Sequence, residues 1–397
     1  MTIRRVTAEE RQTTSFPLQA YAFEASPKRP ERIEAFRRYL PYGAANRTLV
    51  VEEDGEALAT ASAIPMRQNL RGCVLPMAGI SGVASHPLAR RRGHVRALLH
   101  QLLDEMRDEG YRLSALYPFR ASFYEHFGYV GLPMSRTVAF SPAGLAPLLR
   151  AELPGELGWE RIGTGYAEHR AFTERCVAER HGFALFPEAR AVSLRDDDAR
   201  WLVTVRRDGT TVGVLTYTID DYGGELTADD LLVTDPYARA LLLQFLARHV
   251  DQVERVRLRV PPDELPELWL TDLDVHVEAR LAQPGSPAPM ARLLSLDALA
   301  GLPAGPGRVR VELTGDRWLG GSHLLDGTTG RLELVAGTAG GDAPAATLTA
   351  AGLSALAYGV LDPAEVDVRS LGRVPPDAAA ELRRLFPRHL PHLHATF

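Results

Sequence analysis

Residues 82–99, Gly-Val-Ala-Ser-His-Pro-Leu-Ala-Arg-Arg-Arg-Gly-His-Val-Arg-Ala-Leu-Leu, constrain this chain more than any other stretch. A short apolar run turns at Pro87, passes through Arg90-Arg91-Arg92-Gly93, and continues as an amphipathic helix with leucines at 98, 99, 102 and 103. Strand, turn, basic glycine-containing loop and helix in that order bring free backbone N–H groups and the positive end of a helix dipole to one point. A phosphate or pyrophosphate suits such a point. Two common phosphate motifs are absent, since no G-K-[ST] closes a P-loop and no glycine triplet marks a dinucleotide turn. The competing reading is a surface strand-helix turn with a basic cluster.

The length of 397 residues exceeds one ordinary core, so two or three domains are expected. A net charge of -5 argues against general nucleic-acid binding and is compatible with a cationic amine substrate. The two cysteines, Cys73 and Cys176, lie far apart, and the histidines at 86, 94, 100 and 126 lack H-E-x-x-H spacing. No metal is expected, and a reducing cytoplasm suits the chain. Neither a signal-peptide core nor a membrane-length apolar window occurs, so the protein is expected to be cytoplasmic and without a membrane span.

Along the chain, helices are expected over 7–24 and 30–41, and a hairpin over 47–52 and 57–64 around Asp54-Gly55. A second strand pair covers 68–85, followed by a helix over 94–109 and a strand over 113–117. The segment Phe119-Arg120-Ala121-Ser122-Phe123-Tyr124-Glu125-His126-Phe127-Gly128-Tyr129 comes next. A partial repeat then appears: Pro87 matches Pro236, Ala89 matches Ala238, Arg96-Ala97-Leu98-Leu99 matches Arg239-Ala240-Leu241-Leu242, and Gln101 matches Gln244. The second copy lacks the equivalents of residues 90–95, and a hairpin over 201–205 and 211–217 precedes it. Without the anion loop this copy has no evident way to hold a phosphate-bearing ligand, which leaves it a structural or interface role. A Gly/Pro-rich passage at 283–289 reads as a linker, ahead of strands at 309–313, 330–335 and 346–349 and a helix through 353–358.

The run Arg90-Arg91-Arg92-Gly93-His94-Val95 resembles R-x-x-G-x-[G/A], the coenzyme A pyrophosphate loop of the GNAT acetyltransferases, with Val95 in place of a small residue. Residues 123–129 resemble the F-Y-x-x-x-G-[FY] with which such enzymes enter the helix after the splayed strand. Taken whole, the chain resembles the enhanced intracellular survival (Eis) family. The fold class implied is α/β (α+β): tandem GNAT-like domains over 1–147 and 148–285, the second degenerate, then a sterol-carrier-protein-like α+β domain over 286–397.

The resemblance implies acetyl transfer from acetyl-CoA to a primary amine, in the best-known members to several amines of an aminoglycoside, and a homo-oligomer, a hexamer. It assigns Tyr124 as general acid and the terminal carboxylate of Phe397 as general base. Val83, Ala84 and Ser85 are expected to pair with the pantetheine arm, with Val83 and Ser85 as candidates to polarise the thioester carbonyl. Arg91, Arg92, Gly93, His94, Val95 and Arg96 should surround the pyrophosphate, with Phe119 and Arg120 also on the cofactor. Phe36 and Glu24 are candidates for the amine pocket. Gly82 stands where some relatives carry a bulky aromatic, which implies a reshaped pocket, and His389, His392 and His394 are candidates to tune access to the terminal carboxylate.

The roles make chemical sense. An ammonium must lose a proton before it attacks a thioester, and the departing thiolate must gain one. The alternative reading is a non-catalytic acyl-CoA- or lipid-binding protein on the same scaffold, which would bind without turnover.

Overall fold

The computed structural model describes every residue except Met1, Ala25, Lys28, Gln283, Pro284, Ser286 and residues 338–340. The linker expected at 283–289 falls partly outside the described residues. Packing gathers the chain into two units: Met1–Pro133 with Arg180–Ala191 and Ala282–Phe397, and Met134–Glu179 with Val192–Leu281.

The first unit begins with β1 (Thr2–Val6), α1 (Ser15–Phe23), α2 (Pro30–Tyr39), β2 (Arg47–Glu53), β3 (Glu56–Leu70) and β4 (Cys73–Ser85). Asp54 and Gly55 have φ of 52° and 82°, and Arg71 and Gly72 have φ of 50° and 89°. Both hairpins therefore turn on two left-handed residues, the geometry that matches the right-handed twist of the strands. Next come α3 (His94–Asp108), β5 (Leu113–Leu116), α4 (Ala121–Glu125) and β6 (Val130–Gly131). On α3 the residues Leu98, Leu99, Leu102, Leu103 and Met106 recur at helical spacing and are buried. They pack on Leu49, Val51, Ala59, Ala61, Ala63 and Ile80 of the sheet, where the alanines of β3 let the helix approach. Each buried leucine contributes about 1.5–3 kcal/mol. This packing fixes the start of α3 against the end of β4.

The second unit contains β7 (Arg136–Phe140), β8 (Glu156–Arg161) and α5 (Ile162–Glu179). The chain then passes through β9 (Ala184–Leu185), which pairs with β3, and α6 (Glu188–Asp197). β10 (Trp201–Arg207), β11 (Thr210–Ile219), β12 (Glu225–Val233), α7 (Pro236–Ala247), β13 (Arg255–Val260) and β14 (Val275–Glu278) follow. Its sheet runs β14-β7-β13-β12-β11-β10-β8. The order hairpin, strand, helix, parallel strand repeats that of the first unit.

The chain returns to the first unit with β15 (Met290–Leu293), which lies antiparallel between β5 and β6 and completes the order β1-β2-β3-β4-β5-β15-β6. Beyond it, β16 (Arg308–Thr314), β17 (Gly321–Asp326), β18 (Glu333–Ala336), β19 (Ala345–Thr349), α8 (Ala350–Tyr358), α9 (Pro363–Val368), β20 (Gly372–Arg373) and α10 (Pro376–Leu385) build a sheet ordered β18-β17-β16-β19-β20. α8 is apolar around its circumference and buried at every residue, as such a composition requires. The last eleven residues have no regular structure, yet Pro391, His392, Leu393 and Ala395 are buried. No helix among the described residues is long and apolar enough to cross a membrane.

Candidate active site

The site begins where β4 and β5 part. Their parallel pairing runs from Met77↔Leu113 to Ile80↔Leu116 and stops there. On its other edge β4 stays with β3, but Thr60 faces Ala84 and Ser62 faces Ser81, so Gly82 and Val83 together oppose Ala61. This is a β-bulge, and Gly82 accommodates it with φ +60°. A Cβ at Gly82 would lie 2.4 Å from Gln19 Nε2, which donates to the Gly82 carbonyl at 3.3 Å. A larger residue there would have to displace Gln19.

At the end of β4 the basic loop bends through two left-handed residues, Arg91 at φ +63° and Gly93 at φ +85°. The first bond inside α3 runs from Ala97 N–H to Gly93 O at 3.1 Å, and no side chain caps the helix. The N–H groups of His94, Val95 and Arg96 therefore lack partners within the helix. His94 is 8% exposed, and neither of its ring nitrogens has a partner. A buried polar atom left unpaired costs about 1–3 kcal/mol, so a site built this way fits an anionic ligand that accepts from the free N–H groups. Arg91, Gly93, His94, Val95 and Arg96 line one cavity of about 910 Å³ together with Val83, Ala84, Ser85, Phe119 and Arg120. Arg92 is exposed and lies outside that lining.

Tyr124 also faces this cavity. It is 2% exposed, set among the rings of Phe119, Phe123 and Tyr129 at centroid distances of 5.4, 5.1 and 6.0 Å. Burial raises its pKa, so the phenol keeps its proton at physiological pH. Tyr129, by contrast, is committed to Ser114 at 2.7 Å, and burial pushes it up to about 12. The turn after α4 is held from below by Arg292 of β15. Its guanidinium, without exposed surface, donates to the Phe127 and Leu293 carbonyls and pairs with Asp316 at 3.1 Å.

Phe397 lines the same cavity. Its ring meets Tyr117 at 5.6 Å and Phe186 at 6.3 Å, both edge to face, and a Cβ at Gly79 would lie 3.1 Å from it. It thus sits beside the last paired residues of β4 and β5. The irregular tail reaches that point because backbone and side-chain bonds hold it along its length. Arg71 donates to the carbonyls of Ala357 (2.6 Å), Leu356 (3.1 Å) and Pro387 (2.9 Å), and burial lowers its pKa to about 10. The His392 N–H donates to His181 O at 2.9 Å. His181 Nδ1 accepts the Arg71 N–H at 3.1 Å, which leaves the proton on Nε2 to meet Tyr358 O at 2.9 Å. Burial pulls this imidazole down to about 4, so it is neutral at physiological pH. His389 packs against His181, and His394 stacks on Phe183 with ring centroids 4.7 Å apart in each pair.

The two candidates for the amine pocket are not part of this cavity's lining. Phe36 stacks on Phe16 at 3.5 Å, and Glu24 terminates α1. Sequence reasoning passed over Phe23, Pro118 and Tyr117. Tyr117 follows directly on Leu116, the last residue of β5.

In the second unit the matching strand end and helix start look different. Parallel pairing of β12 with β13 ends at Ala228↔Leu258, and Arg259 donates to the Asp229 carbonyl just beyond it at 3.3 Å. Asp235 Oδ1 accepts the N–H groups of Tyr237 (2.9 Å) and Ala238 (3.1 Å), and its carboxylate pairs with Arg207 at 2.8 Å. The start of α7 already holds an anion from its own chain.

Comparison with known proteins agrees with this geometry. Residues 2–131 match one family profile described as an acetyltransferase (GNAT) domain, and residues 179–293 match a second with the same description. An uncharacterized N-acetyltransferase of Streptomyces coelicolor is 28% identical over 279 residues, 64% of this chain and 65% of that protein. The N-acetyltransferase Eis of Mycobacterium tuberculosis is 37% identical over 106 residues, 25% of each chain. The alignments therefore span less than two thirds of these relatives' length. The crystal structure of Eis1 from Mycobacterium abscessus superposes with a TM-score of 0.78 at 20% identity, covering all of both chains. The fold and the two profile matches identify tandem acetyltransferase (GNAT) domains. Within that class, the chain is similar to the Eis N-acetyltransferases.

Proposed function

We propose that this chain moves an acetyl group from acetyl-CoA to a primary amine. The observation that carries the reading is one cavity bordered by the uncapped start of α3, the open edge of β4, Tyr124 and Phe397. Acetyl-CoA, when bound, supplies the acetyl group as a thioester. Arg91, Arg96 and the N–H groups opening α3 hold its anionic part, and Val83 to Ser85 offer the free edge of β4 to its arm. A backbone N–H at Val83 or Ser85 polarises the carbonyl.

The Phe397 carboxylate takes the proton from the acceptor ammonium, either directly or through a water. The amine nitrogen then bonds to the acetyl carbon as the carbon–sulfur bond breaks, Tyr124 gives its proton to the departing sulfur, and the surplus proton of the new amide nitrogen restores the phenol. The second GNAT domain is degenerate in this reading, its helix start closed by Asp235. The sterol-carrier-like C-terminal segment serves to deliver Phe397 to the cavity.

Acetyl-CoA-dependent thiol release by the native chain and Tyr124→Phe tests the proposal. The variant should lose about 10²–10⁴-fold in kcat, with KM for acetyl-CoA changed little. Equal kcat in the two would remove Tyr124 from the mechanism.

A further inference from the structure

The charges around the cavity are uneven in a way that bears on the acceptor. Arg90, Arg91, Arg96, Arg120 and His94 line it, and among the described residues no aspartate or glutamate does. The residues left undescribed carry no acidic side chain either. Beside Ser81, Ser85 and Tyr124, much of the remaining wall is apolar and aromatic: Phe23, Tyr117, Pro118, Phe119, Phe123 and the Phe397 ring. Two of these are unusually open for large apolar side chains, Phe23 at 60% and Phe119 at 45% exposure. The rings already meet tilted or edge to face, Phe119 with Phe123 at 5.4 Å and Tyr117 with Phe397 at 5.6 Å, and a further ring would extend that arrangement.

We infer that the acceptor is a primary monoamine carried on an aromatic or other apolar body. This rests on the acetyl-transfer reading above and narrows it. The four arginines find counter-charges in the phosphates of coenzyme A, which leaves the Phe397 carboxylate as the acceptor's one counter-ion. One carboxylate can desolvate one ammonium. A second or third ammonium entering the same cavity would leave water without a partner and would stand near guanidinium groups, a combination that buried charges do not tolerate. The several-amine acceptor implied by the family resemblance therefore suits this wall poorly, while exposed phenylalanines gain by covering an apolar body. A cavity of about 910 Å³ has room for a thioester arm and a small acceptor side by side.

The experiment uses the full chain saturated with coenzyme A and measures binding of 2-phenylethylamine, spermine and kanamycin by calorimetry. Alongside it, kcat/KM for each amine is measured with acetyl-CoA. The expected result is that 2-phenylethylamine binds at least about 10-fold tighter than either polycation and is acetylated with a kcat/KM about 100-fold higher. Phe23→Asp, a change at an exposed position, should shrink that preference about 10-fold by supplying a second carboxylate. Spermine or kanamycin binding as tightly as 2-phenylethylamine overturns the inference, and so does an absence of binding by all three. Tight binding of 2-phenylethylamine without acetylation supports the ligand class and overturns the transfer reading instead.

Discussion

The Tyr117 phenol donates to the Ala395 carbonyl at 3.1 Å, tying the first residue beyond β5 to the chain two residues before Phe397. The bond spans 278 positions in sequence and holds the end of the tail at the splay. A hydrogen bond of this kind contributes a net ~0.5–1.5 kcal/mol. Tyr117→Phe keeps the ring against Phe397 and removes only the bond. It should lower kcat about 2–10-fold, leave KM for acetyl-CoA unchanged, and move the melting temperature by no more than a few degrees. Steady-state kinetics with a melting curve checks this.

The basic loop makes a separate prediction. Gly93 at φ +85° has open space around its absent Cβ, so Gly93→Ala meets conformational strain without a clash. The left-handed conformation costs an L-residue about 1–2 kcal/mol. Acetyl-CoA affinity should fall about 5–30-fold, with little effect on the kcat of the saturated enzyme. Titration calorimetry with coenzyme A reads this directly, and an unchanged Kd would detach the loop from the cofactor.

The titration of His181 predicts how stability changes with acid. Burial lowers its pKa from an ordinary 6.5 to about 4, so between those values the unfolded chain binds a proton that the folded chain refuses. Its contribution is complete above pH 6.5 and is lost as the pH falls toward 4, amounting to about 3 kcal/mol across the window. Arg71 and His389 push in the same direction. Chemical denaturation at pH 7.5, 6, 5 and 4 should show that decline, and His181→Gln should flatten it.

Tyr124 predicts the shape of the pH–rate profile. Because burial raises its pKa, the general acid stays protonated well above pH 10. Activity should rise with pH as the acceptor amine loses its proton, and should show no falling limb below about pH 10. A descending limb near pH 9 would assign the acid role to another group.

Much of this site was legible in the sequence because its parts are local. The strand end, the Arg-Gly loop and the leucine face of α3 follow one another between Gly82 and Leu103, and each has its own period or turn residue. The Asp54-Gly55 hairpin was legible for the same reason. The path of the tail was not. Residues 387–397 have no periodicity, and their course is set by Arg71, His181 and Tyr358, which are hundreds of positions away or on other elements. The return of β15 to the first sheet was equally hidden, since a four-residue run of three apolar residues and one arginine carries no signal for which sheet it joins. Phe36 has a place by the amine pocket only through the resemblance; in the structure its ring stacks on Phe16.

Removing Phe397 asks whether its terminal carboxylate is the base. Acetyl-CoA-dependent thiol release with a 2-phenylethylamine acceptor would be compared among the native chain, a chain ending at Thr396, and a chain with one glycine added after Phe397. Both altered chains should lose about 10²-fold or more in kcat and keep their affinity for coenzyme A, since each removes or displaces the carboxylate proposed as the base. Full turnover by the chain ending at Thr396 would contradict that role.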